Sequence, residues 1–138
     1  MRVLFLDFDG VLHVGPNVQA NTAHWCWLPA LEEALARHDD VRIVVHSTWR
    51  HSYGVAELRE LLGRVGKLVV GVTIGATRLE GIEQWLAEHP EVSSFRIVDD
   101  DERDFCERPR ELILCDPAKG IADPPVRQQL VAWLQQTS

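Results

Sequence analysis

Short apolar runs alternate along the chain with segments whose hydrophobic positions recur every three or four residues. VLFLD (3–7), VRIVVH (41–46), KLVVGV (67–72), FRIVD (95–99) and ELILC (111–115) are brief, rich in branched side chains and bounded by turn or charged residues. Such runs read as strands buried on both faces. Between them, Leu28, Leu31, Leu35 and His38 fall on one helical face, as do Val55, Leu58, Leu61, Leu62 and Val65, and then Leu79, Ile82 and Leu86. Pro124 and Pro125 open a last helix striped by Val126, Leu130, Val131 and Leu134, because proline suits the first turn of a helix. HPEVSS (89–94) and DPAKGIADPP (116–125) read as turn-rich connections. Five strands interleaved with four helical segments predict a three-layer, Rossmann-like α/β fold with a mostly parallel five-stranded sheet, in one domain spanning residues 1–138.

That architecture gives meaning to where the polar residues fall. Ligands of open parallel sheets sit outside the carboxyl ends of the strands. Asp7 and Asp9 end the first strand, His46, Ser47 and Thr48 the second, and Asp99, Asp100 and Asp101 the fourth. A lone acidic pair is an ordinary solvated turn, but three clusters from distant stretches converge on one rim. Carboxylates from two strand ends make an all-oxygen site suited to Mg²⁺, which takes a few acids together with water and phosphate oxygens. Histidine and thiolate ligands for a softer metal are not grouped. With a phosphate held there, one carboxylate can attack phosphorus in line while a second protonates the leaving oxygen. Two residues of separation put Asp7 and Asp9 on the same side of an extended segment, and Gly10 lets the chain turn away while its backbone approaches the phosphate. A hydroxyl such as that of Ser47 and a cation complete the set of groups needed to hold phosphoryl oxygens.

Composition narrows the setting. The chain has 138 residues, 46% hydrophobic and 25% charged, with a net charge of -7. This balance excludes a broad basic surface for tracking phosphates but not a local basic pocket. The start, MRVLFLDFDG, turns acidic too early for a signal peptide, and no apolar run reaches membrane-spanning length. Cys26, Cys106 and Cys115 are odd in number and widely spaced, so neither a zinc site nor a disulfide framework is expected, and a reducing cytoplasm is the default location.

DFDGVL (7–12) resembles the first motif of the haloacid dehalogenase-like (HAD) superfamily. VVHST (44–48) resembles its second, an apolar strand ending in Ser or Thr, and IVDDDERD (97–104) its acidic fourth, either as an adjacent pair or as Asp100 with Asp104. For the third motif, a cation at a helix start, Arg78 opens RLEGIEQWL; Lys67 competes, but sits at the start of a strand. The resemblance implies a HAD core in which Asp7 is a nucleophile that becomes an aspartyl-phosphate. Asp9 would be general acid and then base, lending its backbone carbonyl to the metal. Ser47 would bind the phosphoryl group, Arg78 would neutralise nucleophile and phosphate, and Asp99 or Asp100 would complete an Mg²⁺ site with Asp7 and Asp9. Gly10, Thr48 and Arg50 are the further substrate-binding candidates. Since Asp9 is present and no mutase insert is visible, phosphatase is the activity implied. A narrower likeness rests on STWR (47–50), Arg78-x-Glu80-Gly81-Ile82-x-x-Trp85-Leu86, the Asp pair and Lys119-Gly120-Ile121. Together these are similar to the small HAD domains of multidomain RNA-repair proteins, and imply a nucleotide or an RNA or DNA end as phosphorylated substrate.

Segment lengths leave no room for a cap domain over the site. The loop 13–27 is the one long rim loop, and its His13, His24, Trp25 and Trp27 either stack on a base or belong to the core or a dimer contact. His46 reads as a hydrogen-bonded core histidine. Arg50 meets a substrate phosphate or a surface acid; Thr73 touches substrate or caps a turn. Asp104 is an outer partner of the metal or a solvated acid, while Asp116 and Lys119 lie near the same rim. No membrane partner is expected, and an oligomer is not indicated. The rival from another class, a receiver-type phosphoacceptor, needs an acid at the third strand end, where this chain has GVTIG. The second rival is a catalytically silent HAD-like module that binds metal and a partner.

Overall fold

A computed structural model of the chain describes residues 1–15, 25–47, 51–75 and 77–136. Strands β1 (Arg2–Leu6), β2 (Val41–Val45), β3 (Val69–Val72), β4 (Ser94–Asp99) and β5 (Leu112–Leu114) form one sheet in the order β3-β2-β1-β4-β5. Every pairing is parallel. Helices α1 (Leu28–Leu35), α2 (Val55–Leu61), α3 (Arg78–Glu88) and α4 (Pro124–Leu134) connect or follow the strands. Among the described residues, no further domain is inserted over the carboxyl ends. This is the capless α/β core expected of the pattern. Among the described residues, no helix is long and apolar enough to cross a membrane.

Side-chain alternation along the strands sorts the core into two layers. Leu4 and Leu6 of β1 and Val41, Ile43 and Val45 of β2 pack with Leu31, Leu58 and Leu130 beneath α1, α2 and α4. Val3 and Phe5, Val44 and Ile97 face the other way, onto Ile82 and Trp85 of α3 and onto Phe105. Both neighbours of β1 shield it, and all five of its residues are buried. The chain leaves β1 toward β2 on one side and returns to β4 on the other, so the carboxyl end of β1 lies at the reversal of strand order, where α/β sheets open a crevice.

Several boundaries differ from the periodicity, for local reasons. Helix α2 stops before Val65 because Gly63 turns left-handed, with φ +57, the usual way to end a helix. A 3-10 helix, Gly63–Leu68, follows, so Val65 and Lys67 belong to it and β3 starts only at Val69. His38 falls beyond α1. In α4, Val131 faces solvent, and Trp133 is buried in its place with its Nε1–H donating to Ser94 Oγ at 2.9 Å. Trp25 and Trp27 are half-buried against the core. His24 lies outside the described residues.

Arg2 joins the two ends of the fold. Its guanidinium is buried, donates to the carbonyls of Trp133, Leu134 and Gln136 at 3.2, 2.8 and 3.2 Å, and grips Asp40 at 2.9 Å. A cation there satisfies the last carbonyls of α4 and complements its dipole. Replacing it by methionine (Arg2→Met) keeps an unbranched stem but strips these bonds. The expected loss is about 2 kcal/mol of unfolding free energy, read from urea denaturation, with secondary structure unchanged.

Candidate functional site

The alternation that builds the second core layer also aims the rim. Asp7, His46 and Asp99 each stand two residues beyond Phe5, Val44 and Ile97, and so on the α3 side of the sheet. Sheet-like hydrogen bonds carry this register past the strand ends: Asp7 N–H donates to Val98 O at 3.1 Å and His46 N–H to Leu6 O at 3.1 Å. Helix α3 begins on the same side with Arg78, its first turn capped by Thr77 Oγ1, which accepts from Glu80 N–H at 3.1 Å.

Arg78 Nη1 lies 3.0 and 3.1 Å from the two oxygens of Asp99 and 3.6 Å from Asp7 Oδ2. His46 Nε2 is 2.7 Å from Asp99 Oδ2, with both side chains fully buried. Asp99 Oδ1 also accepts from the N–H of Asp101 at 2.9 Å. Both oxygens of Asp99 are thus engaged by the protein. Asp7 is different: Oδ1 accepts from Phe8 N–H at 2.9 Å, whereas Oδ2 is buried without a hydrogen-bond partner.

Oxygens of Asp7, Asp99 and Asp100 lie within 4.8 Å of one another. Such crowding has an electrostatic signature. Burial, then the charge of Asp99, pushes Asp7 up to about 7, and burial, then Asp99, pushes Asp100 up to about 6. Asp99 itself is raised by burial against the pull of Arg78. Burial opposes the charge of Arg78, but Asp7 and Asp99 outweigh it and hold the guanidinium more firmly protonated. An orphaned buried carboxylate oxygen beside two further carboxylates suits a hard divalent cation such as Mg²⁺, whose ligands are oxygens. The donor set fits the ion.

Gly10 explains how Asp100 reaches this group. Its φ is +78, and a Cβ on it would lie 2.3 Å from Asp100 Oδ2, so any side chain there excludes the carboxylate. The sequence expectation needs one correction at Asp9. The chain is not extended through residue 9: the amides of Val11 and Leu12 both donate to Phe8 O, at 3.0 and 2.8 Å, and wrap the segment into a turn. The carboxylate of Asp9 therefore stands outside the three-acid group and meets His13 Nε2 at 2.7 Å. Only its backbone carbonyl is left for the metal role that the resemblance implied.

The other candidates fall as follows. Ser47 is fully buried directly after His46 at the β2 end. Thr48 and Arg50, with Trp49, lie outside the described residues. Lys67 is at the amino end of β3, against α1, remote from the rim that Arg78 joins. Thr73 is buried at the β3 end, where a Cβ on Gly81 of α3 would lie 2.9 Å from its own. Asp104 is exposed in the 3-10 helix Glu102–Phe105, and Asp116 is exposed beyond β5. His46 is the hydrogen-bonded core histidine expected, with Asp99 as its partner. His13, weighed as a stacking, core or contact residue, instead meets Asp9; the signal for that pairing was its place four residues after Asp9.

Residues 3–126 match the family described as the HAD domain in Swiss Army Knife RNA repair proteins. No curated protein and no solved structure matches the chain significantly.

Two outcomes are expected of this geometry. In the metal-free protein, Asp7 and Asp100 hold protons that the unfolded chain releases near its ordinary value of 3.8. Their contribution to stability is complete below that pH and is lost as pH rises through about 6 to 7. Thermal scans in EDTA should therefore show wild type weakening over this window, with Asp7→Asn melting about 4 °C higher at pH 7.5. Saturating Mg²⁺ should abolish the difference. Separately, Gly10→Ala should displace Asp100 and weaken Mg²⁺ binding by roughly tenfold or more, measured by calorimetry, without unfolding the protein.

Proposed function

The chain belongs to the HAD domain family of the Swiss Army Knife RNA repair proteins, and from that premise and its rim geometry we propose that it is an Mg²⁺-dependent phosphomonoesterase working through an aspartyl-phosphate. The observation that carries this reading is Asp7 Oδ2, a buried carboxylate oxygen with no hydrogen-bond partner, facing Arg78 at 3.6 Å. An oxygen left unsolvated beside a cation is a nucleophile held ready.

Asp7, Asp100 and the backbone carbonyl of Asp9 would hold the ion, with Asp99 orienting Arg78 beside them. When bound, Mg²⁺ supplies positive charge that offsets both the carboxylates and a substrate phosphate. Asp7 Oδ2 attacks phosphorus, and its new O–P bond replaces the bond to the leaving oxygen, which departs with a proton from Asp9. Water then attacks phosphorus, gives its proton back to Asp9 and releases Asp7 and inorganic phosphate. Arg78 neutralises charge on Asp7 and the phosphoryl oxygens throughout, while the Ser47 hydroxyl donates to one of those oxygens. Gly10 keeps room for Asp100, and Thr48 and Arg50 extend the substrate contact. The family's association with RNA repair supports a nucleotide or a phosphorylated RNA or DNA end as substrate. We take residues 1–138 as one domain and the cytoplasm as its setting, which three cysteines without a disulfide suit.

Phosphate release is to be measured with para-nitrophenyl phosphate, a nucleotide panel and 5′- and 3′-phosphorylated oligonucleotides. Wild type should turn over with Mg²⁺ and stop with EDTA. Asp7→Asn should lose at least three orders of magnitude, roughly the scale of a removed nucleophile, and Asp9→Asn about two or more on the oligonucleotide. A wild type as inert as both variants, yet still binding Mg²⁺, would replace this reading with that of a silent binding module.

A further inference from the structure

We infer that His13 is a positioning residue for Asp9, fixing which carboxylate oxygen carries the transferred proton; the inference rests on the reading of Asp9 as general acid. The carboxylate is one-third exposed at 33%, whereas the imidazole beneath it is 3% exposed, and Asp9 Oδ1 and His13 Nε2 are 2.7 Å apart. The far side of the ring decides the tautomer. His13 Nδ1 accepts from the backbone N–H of Trp25 at 3.4 Å, and an imidazole nitrogen that accepts carries no proton. The ring proton of the neutral imidazole is therefore on Nε2, which donates to Asp9 Oδ1. When Asp9 is the acid, Oδ1 is its carbonyl oxygen, and the proton for the leaving group rides on Oδ2.

The surroundings hold this arrangement in place. Trp25 has φ +64 and is the one non-glycine residue with positive φ among the described residues. That conformation is costly for a bulky side chain, and it occurs at the residue whose N–H meets the ring. The Trp25 indole packs edge-on against both His13 and Phe8, with centroids 5.2 Å apart in each case. Gly10 N–H donates to His13 O at 2.8 Å, closing the turn that joins the two residues. One oxygen of Asp9 is thus gripped by a buried, oriented donor while the carboxylate still reaches solvent. That is the condition a proton-transferring group needs.

The test separates proton delivery from folding. In para-nitrophenyl phosphate the leaving group departs without needing a proton; in a 5′-phosphorylated oligonucleotide the alkoxide must be protonated. His13→Leu should lower kcat on the oligonucleotide by roughly 10- to 100-fold with little change in KM, and lower it several-fold less on the aryl ester. His13→Gln, which retains an N–H donor, should recover most of the loss. In the wild type, ¹⁵N NMR should report a protonated Nε2 and an unprotonated Nδ1 for His13. Equal losses on both substrates, or a ring protonated on Nδ1 alone, would overturn the assignment, and the phosphatase reading would survive provided Asp9→Asn stays inactive on the oligonucleotide. A wild type inert on both substrates would overturn that reading and this assignment with it.

Discussion

Three carboxylates, one guanidinium and one imidazole share a rim in which Asp7, His46 and Asp99 are buried and Asp100 and Arg78 partly so, and their mutual electrostatics govern the rest of the site. Charges in such a place interact far more strongly than at a surface, and each unpaired one is costly. Arg78 alone does not balance Asp7, Asp99 and Asp100, so the acids retain protons at pH values where exposed aspartates are ionised. A hard cation or an ionic ligand relieves this imbalance. The stability given up to hold the acids together is thereby linked to binding, as ligand-selective sites require. Arg78 also stands at the positive end of α3, where a cation is ordinarily disfavoured. Its place there is intelligible only because Asp7 and Asp99 face it.

The sheet supplies the precision. Asp7, His46 and Asp99 come from three adjacent strands and share one face because each keeps the two-residue phase of the apolar side chains before it. A slip of one residue in any pairing would send its acid or imidazole to the α1 side of the sheet. Burial of Val3, Phe5, Val44 and Ile97 on one face, and of Leu4, Leu6, Ile43 and Val45 on the other, makes such a slip prohibitive. The hydrophobic core therefore fixes the geometry of the polar site as well as the fold.

Much of this was legible in the sequence because strand phase and strand end are local properties. The five strands, the four helices and the strand-end places of Asp7, Ser47, Asp99 and Asp100 follow from period and position, whereas Arg78 was singled out through the family resemblance, as a cation at a helix start. What escaped depends on backbone choices that period does not encode. Asp9 was expected beside Asp7, but the turn closed on Phe8 O carries it to His13. His46 read as a core histidine and is one; its partner, Asp99, is fifty-three residues away in sequence and visible only once β2 and β4 flank β1. Val65 and Val131 satisfied a helical stripe on paper. A left-handed Gly63 cut the first helix short, and the larger Trp133 took the buried position in the second.

Without a cap, selection among substrates falls to the rim and its flanks. Beside Asp100, a shallow cleft beyond the β4 and β5 ends is lined by Glu102, Asp116 and Asp123. A polyanionic chain laid along that side would bring its phosphates against acids with no basic residue lining the cleft to offset them. On the β3 side the loop after Thr73 instead presents Ile74, which is 75% exposed. Trp25 and Trp27 are packed onto the core, and Trp25 also lies against His13 and Phe8. Of the two, Trp25 packs against His13, which in turn meets Asp9. Arg78 is the cation set against Asp7 and Asp99, so an anionic group that enters the acid-lined centre meets its positive charge there.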